Sequence, residues 1–188
     1  MFQVSIDVDR FRAGLVESGA LTQRRFSIAI NRAARRLANM AMTDFQSTVE
    51  TWDTKVNFEL VYKLRPSQDI EEFTIYHDNL IYKFVDEGTV AHKIPYKPPT
   101  PEFDDDGKVK LRKRLRFPSS FTPKTSFGEL GSVAGGYGDT FVFASEVDHP
   151  GAEARNFSEL ILDKIVNNMD DIIYEELDAA YQRQWGRQ

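Results

Sequence analysis

Between Thr22 and about Thr51 apolar residues recur at steps of three and four: Phe26, Ile30, Ala33, Leu37, Ala41, Phe45 and Val49. That spacing puts them on one stripe of a helix and predicts that the stripe is buried, with Thr22 as N-cap and Trp52 as a core anchor beyond its end. Ala29, Ala34 and Ala38 add small side chains that let another backbone come close. A second stripe, Phe157, Ile161, Ile165, Met169, Ile172, Ile173, Leu177, Ala180 and Tyr181, predicts a last helix reaching about Trp185. Asn156, with Glu159 following, reads as its capping box. In between, Val56 to Leu64 alternates apolar and polar and Phe73 to His77 forms a second short run, which predicts two strands facing one core. The segment Arg65-Pro66-Ser67-Gln68-Asp69 is the turn that separates them. Asp139 to Val147 reads as another strand, and its consecutive apolar residues Phe141 to Ala144 suggest a central position. Residues 1–22 fit either a strand (Phe2, Val4, Ile6, Val8) or a short helix from Arg10, capped by Asp9 and ended by Ser18 and Gly19. Asn79 to Phe84 is helical or extended. Together these elements predict an α+β fold, a mostly antiparallel sheet packed by the long helix of the N-terminal half and the C-terminal helix.

The stretch from Pro95 to Gly138 departs from this pattern. Proline at 95, 98, 99, 101, 118 and 123, with glycine at 107, 128, 131, 135, 136 and 138, leaves room for only one regular element. That element is Lys108 to Phe117. On an extended strand Val109, Leu111, Leu115 and Phe117 share one face while Lys108, Lys110, Arg112, Arg114 and Arg116 share the other. Residues 95–138 therefore read as a basic β-arm or hairpin inserted in, and projecting from, a single domain spanning 1–188. Its partner should be acidic: a neighbouring subunit, the last helix, or DNA.

Two bends bracket the insertion. Tyr82, Phe84 and Val85 lead into Asp86-Glu87-Gly88-Thr89, and the chain leaves through His92, Lys93 and Ile94. Sixty residues later come Asp148-His149-Pro150-Gly151 and then Phe157. Gly88 and Gly151 suit turns that need a positive φ. Glu87 and Thr89 can bond exposed backbone there, His92 and His149 can bond each other or a carbonyl, and Pro150 with Gly151 fixes the approach to the last helix. Glu87-Gly88-Thr89 with His92 and Ile94, then His149-Pro150-Gly151 and Phe157, resembles a family of small tail-component proteins of tailed bacteriophages. The resemblance runs from the helix before Trp52 to the last helix and excludes the segment between Pro95 and Asp139. It implies a neck or tail-completion protein, made in the host cytoplasm and resident in the virion. Such a protein forms a homo-oligomeric ring, a hexamer or dodecamer, that joins head connector to tail and lets DNA pass through its lumen.

Composition narrows the chemistry. With 41% hydrophobic and 28% charged residues the chain has the balance of a globular protein, and no apolar run approaches the roughly 20 residues a membrane helix needs. The start Met1-Phe2-Gln3-Val4-Ser5 lacks the form of a secretory signal, and without cysteine no disulfide or thiolate site exists. A net charge of −5 argues against a surface that grips nucleic acid throughout. The charge is uneven: Arg24, Arg25, Arg32, Arg35 and Arg36 crowd the long helix while the last helix is acidic, a division that suits head-to-side pairing of copies. The arginines read first as a solvated helix face and second as a nucleic-acid contact. As an enzyme, the chain would be a metal-dependent hydrolase using Asp86, Glu87, His92 and His149, but no His-Glu-x-x-His pair accompanies them. No Gly-x-Ser-x-Gly elbow occurs, and the glycines at 128–131 and 135–138 lack the lysine and hydroxyl of a phosphate loop. The expectation is a structural protein without catalytic residues, cofactor or metal. The alternative reading is a nucleic-acid binder in which the basic arm tracks phosphates and Phe117, Phe121 and Phe127 stack bases.

Overall fold

A computed structural model describes residues 1–95, 102–103, 109–110, 115–132, 134–144 and 146–186. Both alternatives for the first 22 residues are realised in turn, as strand β1 (Phe2–Ser5) and helix α1 (Val8–Leu15). The helix starts earlier than expected because Asp7, not Asp9, accepts the Arg10 amide at 3.1 Å. Helix α2 (Gln23–Val49) begins at Thr22, whose hydroxyl accepts the Arg25 amide. Strands β2 (Glu59–Leu64) and β3 (Ile70–Tyr76) then join β1 in a three-stranded antiparallel sheet of order β1-β3-β2. The register sets Phe2 and Leu60 opposite Ile75, and Val4 and Tyr62 opposite Phe73, so one face of the sheet is apolar.

That face is covered by α2 and by the last helix, α4 (Phe157–Trp185). Phe26, Ile30, Leu37 and Phe45 of α2 meet Phe157, Ile161, Ile165 and Ile173 of α4, all essentially sealed from solvent. Fully enclosing each of these side chains contributes about 1.5–3 kcal/mol. Ala29, Ala33, Ala34, Ala38 and Ala41 are sealed as well, the close approach that their size predicts. The two helices run antiparallel, with Arg36 on Glu175 (2.6 Å) and Lys164 on Asp44 (2.8 Å) across their outer seam. The acidic and basic helices are thus neighbours within one chain, and part of the charge expected to pair copies head-to-side is satisfied internally.

The turn between β2 and β3 is pinned to α2 from beneath. Asn31 accepts the Ile70 amide (2.7 Å) and donates to the Gln68 carbonyl (3.0 Å). Asp69, with no exposed surface, takes Arg12 at 2.7 Å and Ser67 at 2.8 Å. Beyond the sheet lie helix α3 (Leu80–Glu87) and strands β4 (His92–Pro95), β5 (Glu102–Phe103), β6 (Val109–Lys110), β7 (Leu115–Pro118), β8 (Phe121–Thr122), β9 (Gly136–Tyr137), β10 (Phe141–Ala144) and β11 (Glu146–His149). All pair antiparallel and two by two: β4 with β11, β5 with β6, β7 with β10, β8 with β9.

These pairings correct two expectations. Of the strand expected over Lys108 to Phe117, the parts β6 and β7 are described and pair with different strands, β5 and β10, while 108 and 111–114 lie outside the described residues. Asp139 to Val147 does not sit at the centre of the sheet. Among the described residues its two pieces β10 and β11 each have a single partner, and Phe141, Val142 and Phe143 are exposed.

Candidate functional site

Helix α3 resolves the open choice at Asn79 to Phe84. Asn79 caps it by accepting the Tyr82 amide at 3.0 Å, and the i, i+4 pair Tyr82 and Asp86 points inward. Tyr82 is completely buried, ringed by Phe45, Trp52, Phe58, His77 and Phe157 at centroid distances of 4.5–6.2 Å. Trp52 is thereby the core anchor expected of it. Burial pushes the Tyr82 phenol far up, and the Asp86 carboxylate adds to the shift. Ser158, near enough to oppose it, gives its own hydroxyl to Asp86, and no partner is aligned on Tyr82 Oη among the described residues. The adjoining His77 is held below the ordinary imidazole value, first by burial and then by the N-terminal charge, against weaker opposition from Asp86.

At the end of α3 the two bends meet. Gly88 has φ +77°, and a Cβ there would come within 2.8 Å of Ala152 O and Ala154 N. Gly151 has φ +89°, and a Cβ there would run into the Thr89 carbonyl oxygen, with Val90 C at 2.9 Å. Each glycine therefore makes room for the backbone of the opposite bend. Between them Thr89 and Ala152 exchange amide bonds of 2.8 and 3.0 Å, and Thr89 Oγ1 also accepts the Ala152 amide at 2.9 Å. The glycine and Thr89 roles are as expected. Glu87 differs, since it does not bond the turn but lies exposed, 3.8 Å from Lys83 one helical turn back.

Asp86 locks this junction to α4. Its carboxylate accepts the Ser158 amide (3.1 Å) and hydroxyl (2.6 Å), and its carbonyl accepts the Asn156 amide (3.0 Å). The expected capping box at Asn156 is absent: that residue is left-handed, φ +56°, and its side chain makes no cap bond. The negative charge that a helix N-terminus favours is supplied from α3, 72 residues away in sequence. Phe157 follows directly and seals the junction against Tyr82, ring centroids 6.2 Å apart.

From the junction a ribbon runs outward. His92 and His149 are opposite each other in the β4–β11 register, and their rings stack at 5.0 Å and 28°. They share no proton. His92 Nδ1 lies 2.9 Å from the Val90 carbonyl, which can only accept, so that nitrogen carries hydrogen. His149 Nδ1 accepts the Gly151 amide at 3.1 Å, so its hydrogen sits on Nε2. Pro150, which has no amide to give, ends the ladder. Of the four residues weighed as metal ligands only the two histidines meet; Asp86 faces Ser158 and Glu87 faces Lys83, and among the described residues no group of three acids or histidines converges.

Farther out, the β7–β10 register continues the ribbon, and the Arg116 guanidinium lies 3.8 Å from the centroid of the Phe141 ring. Of the other basic residues expected at an interface, Lys108, Arg112 and Arg114 lie outside the described residues, and for Lys110 only its backbone pairing in β6 is described. Among the described residues β7 with β10 and β8 with β9 pair as nested antiparallel strands, and the segment expected to project is instead tied to the body there: Lys124 pairs with Asp53 (3.0 Å) and donates to the Thr51 carbonyl (2.9 Å). Phe121, Phe127, Tyr137 and Phe143 are each more than half exposed along it. Sequence reasoning named Phe121 and Phe127 only in the nucleic-acid alternative and missed the anchor and the exposure of Tyr137 and Phe143, for which the unbroken apolar run at Phe141 to Ala144 was the available signal. Comparisons with protein-family models, with curated proteins and with solved structures return no match.

Proposed function

We propose that the chain is a structural protein of a tailed-bacteriophage virion. It is a neck or tail-completion component that assembles with its own copies into a ring, a hexamer or dodecamer, between the head connector and the tail tube. The observation that carries this reading is the ribbon. A two-stranded ribbon is marginal by itself in water, and this one displays Phe121, Tyr137, Phe141, Val142 and Phe143 while rooted in a doubly locked junction. A rigid base carrying an apolar strip fits a device that a neighbouring subunit completes. Support also comes from the residues of the resemblance, Gly88, Thr89, His92, His149, Gly151 and Phe157, which meet at that base and are engaged there in backbone closure and packing. Arg116 and the basic residues before it then serve protein contacts, and DNA passes a net-negative subunit without being gripped.

The test is electron microscopy and mass photometry of the purified chain, alone and then with connector and tail proteins. Rings in either preparation are the expected result. A chain that stays monomeric in both refutes the reading. Phe121, Phe127 and Tyr137 exposed near a basic segment favour nucleic-acid binding as the second reading. Filter binding that is tight and falls steeply with salt would select it.

A further inference from the structure

The outer face of the α2/α4 layer carries two stripes of opposite charge. From Ser18 to Thr43 there is no acidic residue, and Arg24, Arg32, Arg35 and Arg36 stand exposed on the face of α2 opposite its buried Ile30, Ala34 and Leu37. Beside it, α4 exposes Asp163, Asp171, Glu175 and Asp178. The seam between the helices uses Arg36 with Glu175 and Lys164 with Asp44. Outside that seam no carboxylate lies within ion-pair distance of Arg24, Arg25 or Arg32 among the described residues. Arg35 rests on the Tyr62 ring at 5.7 Å. On the acidic side Asp163, Asp171 and Asp178 have no cationic partner among the described residues.

We infer that this face pairs with the same face of a second copy, about a two-fold axis parallel to the helices. Such an axis lays the α2 of each copy over the α4 of the other and satisfies both stripes at once, whereas an in-plane axis across the helices would set arginines on arginines. The register is fixed too, because a two-fold rotation allows no slide along its axis. Arg36 is level with Glu175 in the seam. One turn farther along each helix Arg32 is level with Asp178, so Arg32 of each copy faces Asp178 of the other. Nucleic acid fits this face less well, since a duplex laid on the arginines would also cover the α4 carboxylates. Those lie about 8–10 Å away at ordinary helix spacing, inside a Debye length of about 10 Å at 0.1 M salt.

The inference does not rest on the virion reading, and the two fail separately. The experiment is sedimentation velocity of the full chain at about 50 mM and about 500 mM salt, where screening lengths differ roughly threefold. Wild type, Arg32→Glu, Asp178→Arg and the double exchange are compared, with thermal melts to show that each is folded. Association should weaken with salt, drop about tenfold or more in either single reversal, and return in the double exchange, where both symmetric pairs are opposite again. A monomer at low salt, indifference to either reversal, or no recovery in the double exchange overturns it. So does duplex DNA binding at low salt that is lost in Arg32→Glu. Rings whose mass ignores both reversals sink this contact and leave the ring standing, while a chain that stops at a salt-sensitive dimer does the reverse.

Discussion

Replacing Gly151 with alanine adds one methyl group, and its cost follows from two separable terms. A left-handed backbone costs an L-residue about 1–2 kcal/mol. The second term is the collision of the new Cβ with the Thr89 carbonyl oxygen, with Val90 C at 2.9 Å and Ala91 N at 3.0 Å behind it. Those are backbone atoms, so relief requires the bends to part, and parting them loses the paired Thr89–Ala152 amide bonds, each worth about 1 kcal/mol net. The total is about 3–4 kcal/mol, a melting temperature lower by about 10 °C for a chain of this size. Gly19 supplies the control. Its φ of +74° carries the first term, but nothing lies within 4 Å of its Cβ position. Gly19→Ala should therefore cost only about 1–2 kcal/mol. Urea titration of both variants and wild type, followed by circular dichroism, gives the two values. If they agree within about 0.5 kcal/mol, the spread of ordinary surface changes, the close approach of the bends is not what the glycine serves.

Three further outcomes follow from the same contacts. Asp86→Ala should destabilise by about 2 kcal/mol, because the α4 N-terminus loses its capping carboxylate and the charge opposing its dipole, and hydrogen exchange should rise first at Ser158. Protection unchanged at the start of α4 would refute the cap. Asp69→Ala should cost about 2–4 kcal/mol, since Arg12 is left half-enclosed without its carboxylate, whereas Arg12→Leu with Asp69→Ala should cost less than Asp69→Ala alone. Denaturant unfolding of the single and double variants decides it. Finally, the His77 ring binds its proton more weakly when folded than its ordinary value of 6.5. The unfolded chain then holds more protons, so stability falls as pH drops through 6.5 toward the lowered folded value. His77→Phe, which keeps the ring packing on Tyr82, should flatten that slope relative to wild type; equal slopes would show that His77 titrates alike in both states.

The helices were legible because their signals are local. Phe26 to Phe45 and Phe157 to Leu177 repeat at helical spacing, and Thr22 needs only the amide three residues on. The junction was legible in part: Gly88, Thr89 and Gly151 announce sharp bends, but Asp86 reaches Ser158 across 72 residues and no periodicity reports such a pair. Asn156 is the residue type a cap prefers, yet a left-handed conformation turns it away and frees the amides for Asp86. At Phe141 to Phe143 an unbroken apolar run reads as enclosure on both faces. The fold encloses neither: β10 pairs with β7 in a two-stranded ladder, and the pattern records what the side chains are and not how many layers cover them.

The way the core is divided along the chain governs how it can form. Phe157, Ile161, Ile165 and Ile173 complete a pocket whose other walls, Phe2, Phe26, Phe45 and Phe73, emerge from the ribosome far earlier. Until α4 has been synthesised, α2 and the sheet have only each other to shelter in, and closing loops of more than a hundred residues is slow. A nascent chain arrested before Asn156 should accordingly remain protease-sensitive however much of its sequence precedes that point, and gain protection only once its last helix is out.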